Sequence, residues 1–157
     1  MYTTPSLIRR MLPLFLCLSL TTIHSQYATR IHFNASNVFA GIEVGSKGVK
    51  MSVVEMNKKS FSVVKDTSVN TDFISFSSQS SVATLDGLAG LFNTAMTVYG
   101  IPSDRIYTVI SSGVKMQADK DNQQKQIDQL IGGFRERIHE PNRKVDIVDV
   151  TQEARLS

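Results

Sequence analysis

The stretch FAGIEVGSKGVKMSVVEM, residues 39–56, gathers a carboxylate, a hydroxyl and an ammonium around two glycines. Glu43, Gly45, Ser46, Lys47 and Gly48 lie between two apolar runs. Gly45 and Gly48 permit either a positive φ or the close approach of another group to the main chain. Successive N–H groups turned inward at such a turn form an anion-binding concavity, to which Ser46 adds a hydroxyl and Lys47 a positive charge. Glu43, two residues before Gly45, stands at the mouth of the turn, where its carboxylate could hold Mg2+ directly or through water. The spacing GxxxxGK[ST] of a P-loop is absent, and this turn leads into a strand rather than a helix. On spacing alone it is either a plain hairpin or a loop that holds a phosphate.

The elements that must position these residues follow from periodicity. Residues 38–44, 49–56 and 60–66 read as three strands joined by tight turns, an antiparallel meander. Residues 67–81 are rich in Ser, Thr and Asn and read as a loop containing a short strand around Phe73, Ile74 and Phe76. A helix is predicted over 84–99, with Thr84 as its N-cap and Leu85, Leu88, Phe92, Ala95, Met96 and Tyr99 on one face. Gly100 ends it and Pro102 prevents its resumption. Residues 105–112 form a strand of β-branched and aromatic character. A second helix is predicted over 122–139, with Ile127, Leu130, Ile131, Phe134 and Ile138 on one face, and a last strand over 145–150. The order β-β-β-α-β-α-β predicts a mixed sheet flanked by helices, an α/β domain. The last strand runs into the first turn of a helix just as the sequence ends, so the chain reads as truncated.

Bulk properties narrow the classes of function. The chain has 157 residues, 41% hydrophobic and 20% charged, which suits one folded domain. Its formal charge is +3. Arg9 and Arg10 account for two of those charges, and the near-neutral remainder carries no nucleic-acid footprint. Residues 1–25 have the order of a secretory signal peptide: the two arginines, an apolar run over 11–20, then small polar residues up to Ser25. That run is too short for a stable membrane span. Pro13 and Ile23 count against efficient cleavage, and the competing reading is a cytoplasmic protein whose translation begins further on. Cys17 lies inside the leader, so a processed chain has no cysteine for disulfides or metal sites. The Asn34-Ala35-Ser36 acceptor pattern matters only in a glycosylating secretory pathway.

Three stretches carry a resemblance. Residues 39–56 resemble the first phosphate loop of the actin-like ATPase superfamily, and most closely that of the exopolyphosphatase/guanosine pentaphosphate phosphohydrolase (Ppx/GppA) family. RIYTVISSGVKMQADKDNQ (105–123) is similar to that family's strand with a Thr/Ser-rich turn, and VDIVDVTQEARLS (145–157) to its strand running into a Glu-Ala-Arg-Leu motif. The resemblance covers about 38–157. It implies a partial N-terminal actin-fold (ribonuclease H-like) lobe over 37–157, with the substrate held between that lobe and a second one. The second phosphate loop, Asp-x-Gly-Gly-Gly-Ser, does not occur in this sequence.

What the resemblance implies for residues is specific. Gly45, Ser46, Lys47, Ser111, Ser112 and Lys115 fall at phosphate-binding positions, Glu43 at the position of a metal-holding aspartate, and Glu153 at that of the glutamate which orients or deprotonates the attacking water. Hydrolysis of a phosphoanhydride needs such a carboxylate and cations to absorb the developing charge. Departures from the pattern are equally specific. Glu43 is one methylene longer than aspartate, Lys47 stands where the pattern has asparagine, and Lys115 replaces an arginine, losing its bidentate fork. Each residue also has an ordinary reading: Glu43 as an edge carboxylate, Lys47 and Lys115 as solvated lysines, Glu153 as a helix-start carboxylate and Arg155 as its structural partner. The implied cofactor is Mg2+, and the implied partners are polyphosphate or a phosphorylated guanine nucleotide, with homodimers in full-length relatives. The alternative is a non-catalytic exported module that binds phosphate or protein.

Overall fold

The computed structural model describes residues 37–151. The leader over 1–25, the Asn34 acceptor, Glu153 and Arg155 lie outside the described residues. Among those described, no helix is long and apolar enough to cross a membrane.

The meander is present: β1 (Val38–Gly45), β2 (Gly48–Asn57) and β3 (Ser60–Asn70) pair antiparallel in sequence order. Strand β4 (Ile106–Ile110) then lies parallel to β1 on its other side, and β5 (Asp146–Ile147) lies parallel to β4. The five-stranded mixed sheet therefore has the order β3-β2-β1-β4-β5. Alternation selects its buried face. Val38, Ala40, Ile42 and Val44 of β1, and Val49, Met51 and Val53 of β2, are all buried, whereas Gly41, Glu43 and Lys50 are exposed on the other face.

Three helices supply the covering layer: α1 (Ser78–Thr97), α2 (Ser112–Asp121) and α3 (Gln124–Arg137). Leu88, Phe92 and Ala95 of α1 and Ile127, Leu130 and Phe134 of α3 join the strand residues in one core. Phe92 and Phe134 meet edge to face, with centroids 5.6 Å apart and planes at 82°. Arg143 closes this core from below. Its guanidinium stacks over Phe92 at 4.7 Å, and its Nη2 donates to the Ser103 carbonyl at 2.8 Å. Glu140 Oε2 lies 3.4 Å from Arg143 Nε, close enough for charge attraction, though Nε makes no hydrogen bond among the described residues.

Several sequence boundaries move. Helix α1 starts six residues before Thr84, capped by Ser77, whose Oγ accepts the Ser80 N–H at 3.1 Å. Thr84 is instead fully buried inside the helix, and its Oγ1 donates to Thr71 Oγ1 at 2.8 Å. The expected loop over 67–81 is divided among the end of β3, a 3-10 turn at Phe73–Ser75 and the start of α1. The strand expected over 105–112 ends at Ile110, so Ser111 and Ser112 belong to the start of α2, an element that periodicity did not reveal. Asn122, expected to open a helix, closes α2 instead, with φ 55° and its N–H donating to the Ala118 carbonyl. The expected strand over 145–150 shortens to Asp146–Ile147, and the chain turns helical again at Val150.

One polar group in the core has no compensation. Thr108, in the middle of β4, is 2% exposed, and its Oγ1 finds no hydrogen-bond partner among the described residues. A buried hydroxyl without a partner costs about 1–3 kcal/mol. Thr108→Val keeps the shape and removes the hydroxyl. It should stabilise the domain by about 1 kcal/mol, read as a higher urea midpoint at unchanged m-value.

Candidate phosphate-binding site

The 45–48 turn is held from both sides. On one side, Lys47 accepts backbone hydrogen bonds from the N–H groups of Thr71 at 3.0 Å and Asp72 at 3.4 Å. On the other, the Ser111 N–H donates to the Val44 carbonyl at 3.0 Å. Neither glycine has a positive φ, and neither do Ser46 and Lys47. The turn is therefore not one of the primed hairpin types, which need φ above zero at their first central residue. What Gly48 supplies is close approach: a Cβ there would lie 2.1 Å from the Val69 carbonyl oxygen. The end of β3 passes where any larger residue would have to be.

Helix α2 brings its N-terminus to the same place. Ser111 stands at the N-cap, and the first intrahelical bond runs from the Lys115 N–H to the Ser111 carbonyl at 3.1 Å. The amides of residues 112–114 thus precede the helical ladder at the positive end of its dipole. Gly113 faces the turn, because a Cβ there would lie 3.1 Å from Ser46 Oγ and 4.0 Å from Ser111 Oγ. Ser111 and Ser112 are both buried at this junction. The seam between β1 and β4 is where the chain order switches sides of the sheet, and the crevice beyond the carboxyl ends of two such strands is the usual ligand position in open α/β sheets.

Lys47 lines two open depressions on the β2–β3 side of the turn. The larger, about 430 Å³, runs along Asn70, Thr71 and Asp72 to Ser75, Ser77 and Ser80 at the start of α1. The smaller, about 200 Å³, runs along Glu43, Lys50, Ser68 and Asn70. Glu43 is exposed on the open face of the sheet, with Oε1 3.9 Å from where a Gly45 Cβ would be. Among the described residues no group of three or more His, Cys, Asp and Glu could hold a metal ion. Glu43 offers a single carboxylate at the turn. Mg2+ commonly binds through one or two carboxylates together with substrate phosphate and water, so Glu43 fits as a contributor and not as a complete site.

Lys115 is engaged elsewhere. Its Nζ donates to Asp119 Oδ2 at 2.6 Å, one turn along α2. That hydrogen bond and the charge of Asp119 raise the lysine's pKa, with a further attraction from Asp149 just beyond β5. Because the folded value is raised, the pair's contribution is fully present below the lysine's ordinary titration and is lost only as pH rises through the raised value. Across neutral pH the ammonium stays charged and already paired.

The structure thus brings Gly45, Ser46, Lys47, Ser111 and Ser112 together, with Glu43 beside them. It ties Lys115 to Asp119. The residue missed in the sequence is Gly113; the Ser-Ser-Gly run that opens α2 was the available signal, since serine is a preferred N-cap.

Comparison with solved structures gives the fold. A Ppx/GppA family member from Aquifex aeolicus matches with a TM-score of 0.56 at 14% identity, over 75% of this chain and 37% of that one. An exopolyphosphatase from Cytophaga hutchinsonii matches with a TM-score of 0.55 at 15% identity, over 76% of this chain and 36% of that one. An exopolyphosphatase-like protein matches with a TM-score of 0.54 at 13% identity, over 76% and 34%. The chain is a remote structural relative of the Ppx/GppA fold, of actin and ribonuclease H type, and it spans little more than a third of those structures' length. No family model and no curated protein matches it.

Two glycine substitutions separate folding from binding. Gly48→Ala meets backbone that cannot yield and should destabilise the domain by more than about 2 kcal/mol in urea unfolding. Gly113→Ala presses only on the Ser46 side chain and improves helix propensity by up to about 1 kcal/mol. Its urea midpoint should hold or rise, while calorimetric affinity for inorganic triphosphate falls several-fold.

Proposed function

We propose that this chain is the phosphate-holding lobe of a phosphoanhydride hydrolase, acting on polyphosphate or a phosphorylated guanine nucleotide with Mg2+. The observation that carries this reading is the closeness of Ser46 Oγ to Gly113, where an added Cβ would lie 3.1 Å from it. It joins the hairpin turn to the N-terminus of α2 at the switch point of the sheet. In this proposal the amides of 46–48 and 112–114, with the Ser46, Ser111 and Ser112 hydroxyls, surround the terminal phosphate. Lys47 adds positive charge, and Glu43 supplies one oxygen to Mg2+. When bound, the ion would neutralise charge on the phosphate oxygens. Glu153 holds and deprotonates the attacking water.

The similar structures include an exopolyphosphatase and a Ppx/GppA family member, and the phosphate loop and Glu-Ala-Arg-Leu stretch of this sequence support the same chemistry. Since the chain spans little more than a third of those structures, turnover is proposed for a longer product that contains a second lobe. The ion pair of Lys115 with Asp119 favours a second reading, a lobe that binds phosphate without hydrolysing it. A lysine already paired contributes little to a developing charge.

Incubation with polyphosphate and Mg2+ distinguishes these. The 157-residue chain should bind but release phosphate no faster than the uncatalysed control. A longer product carrying the second phosphate loop should release it at a rate that Glu153→Gln lowers by roughly 100-fold or more, the scale of a lost general base. Full activity in the Glu153→Gln protein would refute the catalytic assignment, and no activity in the unaltered longer product would favour the binding module.

A further inference from the structure

The sheet ends in an open edge. Strand β3 is eleven residues long and, among the described residues, pairs with β2 alone, so one row of its backbone N–H and C=O groups has no described strand beside it. Every residue but Thr67 is exposed, and among the described residues no proline or covering helix blocks the edge, whose register against β2 shifts once, at Val64. Its first half, Ser60 to Val64, is uncharged, with Phe61 at 71% and Val63 at 52% exposure. Such an edge is a template for a further strand.

The charges around it select the partner. Lys58 and Lys59 flank the uncharged segment at one end and Lys65 at the other; all three are exposed, and none has an ion-pair partner among the described residues. The adjacent carboxylate, Asp66, is held toward β2, accepting from Ser52 Oγ at 2.6 Å with Lys50 Nζ at 3.6 Å. A second copy of this edge is a poor occupant. A second copy would bring its own Lys58, Lys59 and Lys65 beside these three lysines, and like charges gathered across strands are unfavourable. The chain's own first 36 residues fit no better, since they contain three arginines and no Asp or Glu.

We propose that the β3 edge is a docking site for an extended segment of another protein, apolar at its centre and acidic at both ends, which adds as a sixth strand. Main-chain hydrogen bonds would hold it, Phe61 and Val63 would pack on its alternate side chains, and the lysines would set its flanks. The same lysines that repel self-pairing admit this partner. The site is remote from the β1–β4 seam and does not rest on the phosphate reading.

The test uses the full chain and fluorescent synthetic peptides with repeated Val-Thr at the centre, flanked by paired glutamates or by paired lysines. At low salt the glutamate peptide should bind about tenfold or more tightly than the lysine peptide, with the difference shrinking as salt rises. Combining Lys58→Glu, Lys59→Glu and Lys65→Glu should invert the preference, an outcome that also shows the variant is folded. Methylating alternate peptide nitrogens should abolish binding by removing strand pairing. Equal affinity for both peptides, or undiminished binding of the methylated one, would overturn the proposal. So would a chain that sediments as a dimer and becomes monomeric on Phe61→Lys, since that assigns the edge to a second copy.

Discussion

Everything proposed for the seam depends on one close approach. The backbone of Gly48 lies so near the Val69 carbonyl that no side chain fits between them. That contact lets the end of β3 cross under the hairpin turn, where Thr71 and Asp72 donate to Lys47. The turn is thereby fixed relative to the sheet rather than projecting as a free hairpin tip. From the other side the Ser111 N–H fixes Val44, and through it the start of α2. A loop anchored at both shoulders presents its amides without the ordering cost that a mobile loop would incur on binding an anion.

The sheet order gives this local constraint its meaning. Because β1 and β4 run parallel, the turn after β1 and the N-terminus of α2 after β4 open at the same end of the sheet. Start of α1 reaches that end as well, which is why the larger depression runs from Lys47 to Ser77 and Ser80. The arrangement favours negative charge through backbone dipoles more than through side-chain cations. Lys47 is the cation at the turn, while the other basic side chain assigned to the site, Lys115, is paired with Asp119.

How much of this was legible follows from which residues are buried. Strand β1 is an apolar run and β2 alternates over its first half, and α1 and α3 carry large apolar residues on one face, so all four are readable as elements. Helix α2 was not, because only Ser112, Val114 and Ala118 of its residues are buried and a glycine stands in its first turn. Strand β3 was cut short because an edge strand exposed along its length has no apolar alternation to mark its end. The glycine turn admits positive φ or close approach, and close approach is what Gly48 provides. Grouping Ser46 with Ser111 and Ser112 came from resemblance to a family. Gly113, which leaves room for Ser46 beside α2, is signalled in the sequence only by the Ser-Ser-Gly run that opens that helix. Glu153 lies outside the described residues, so its assignment still rests on the resemblance.

Amide mapping tests the central claim most directly. In a 15N-resolved NMR titration of the full chain with inorganic triphosphate, the N–H signals of 46–48 and 112–114 should shift together along one saturable curve. The exposed lysine segments at 58–59 and 65 should move little. Shifts confined to those lysines, or a gradual drift of many amides without saturation, would contradict a phosphate site at the junction of the turn and α2.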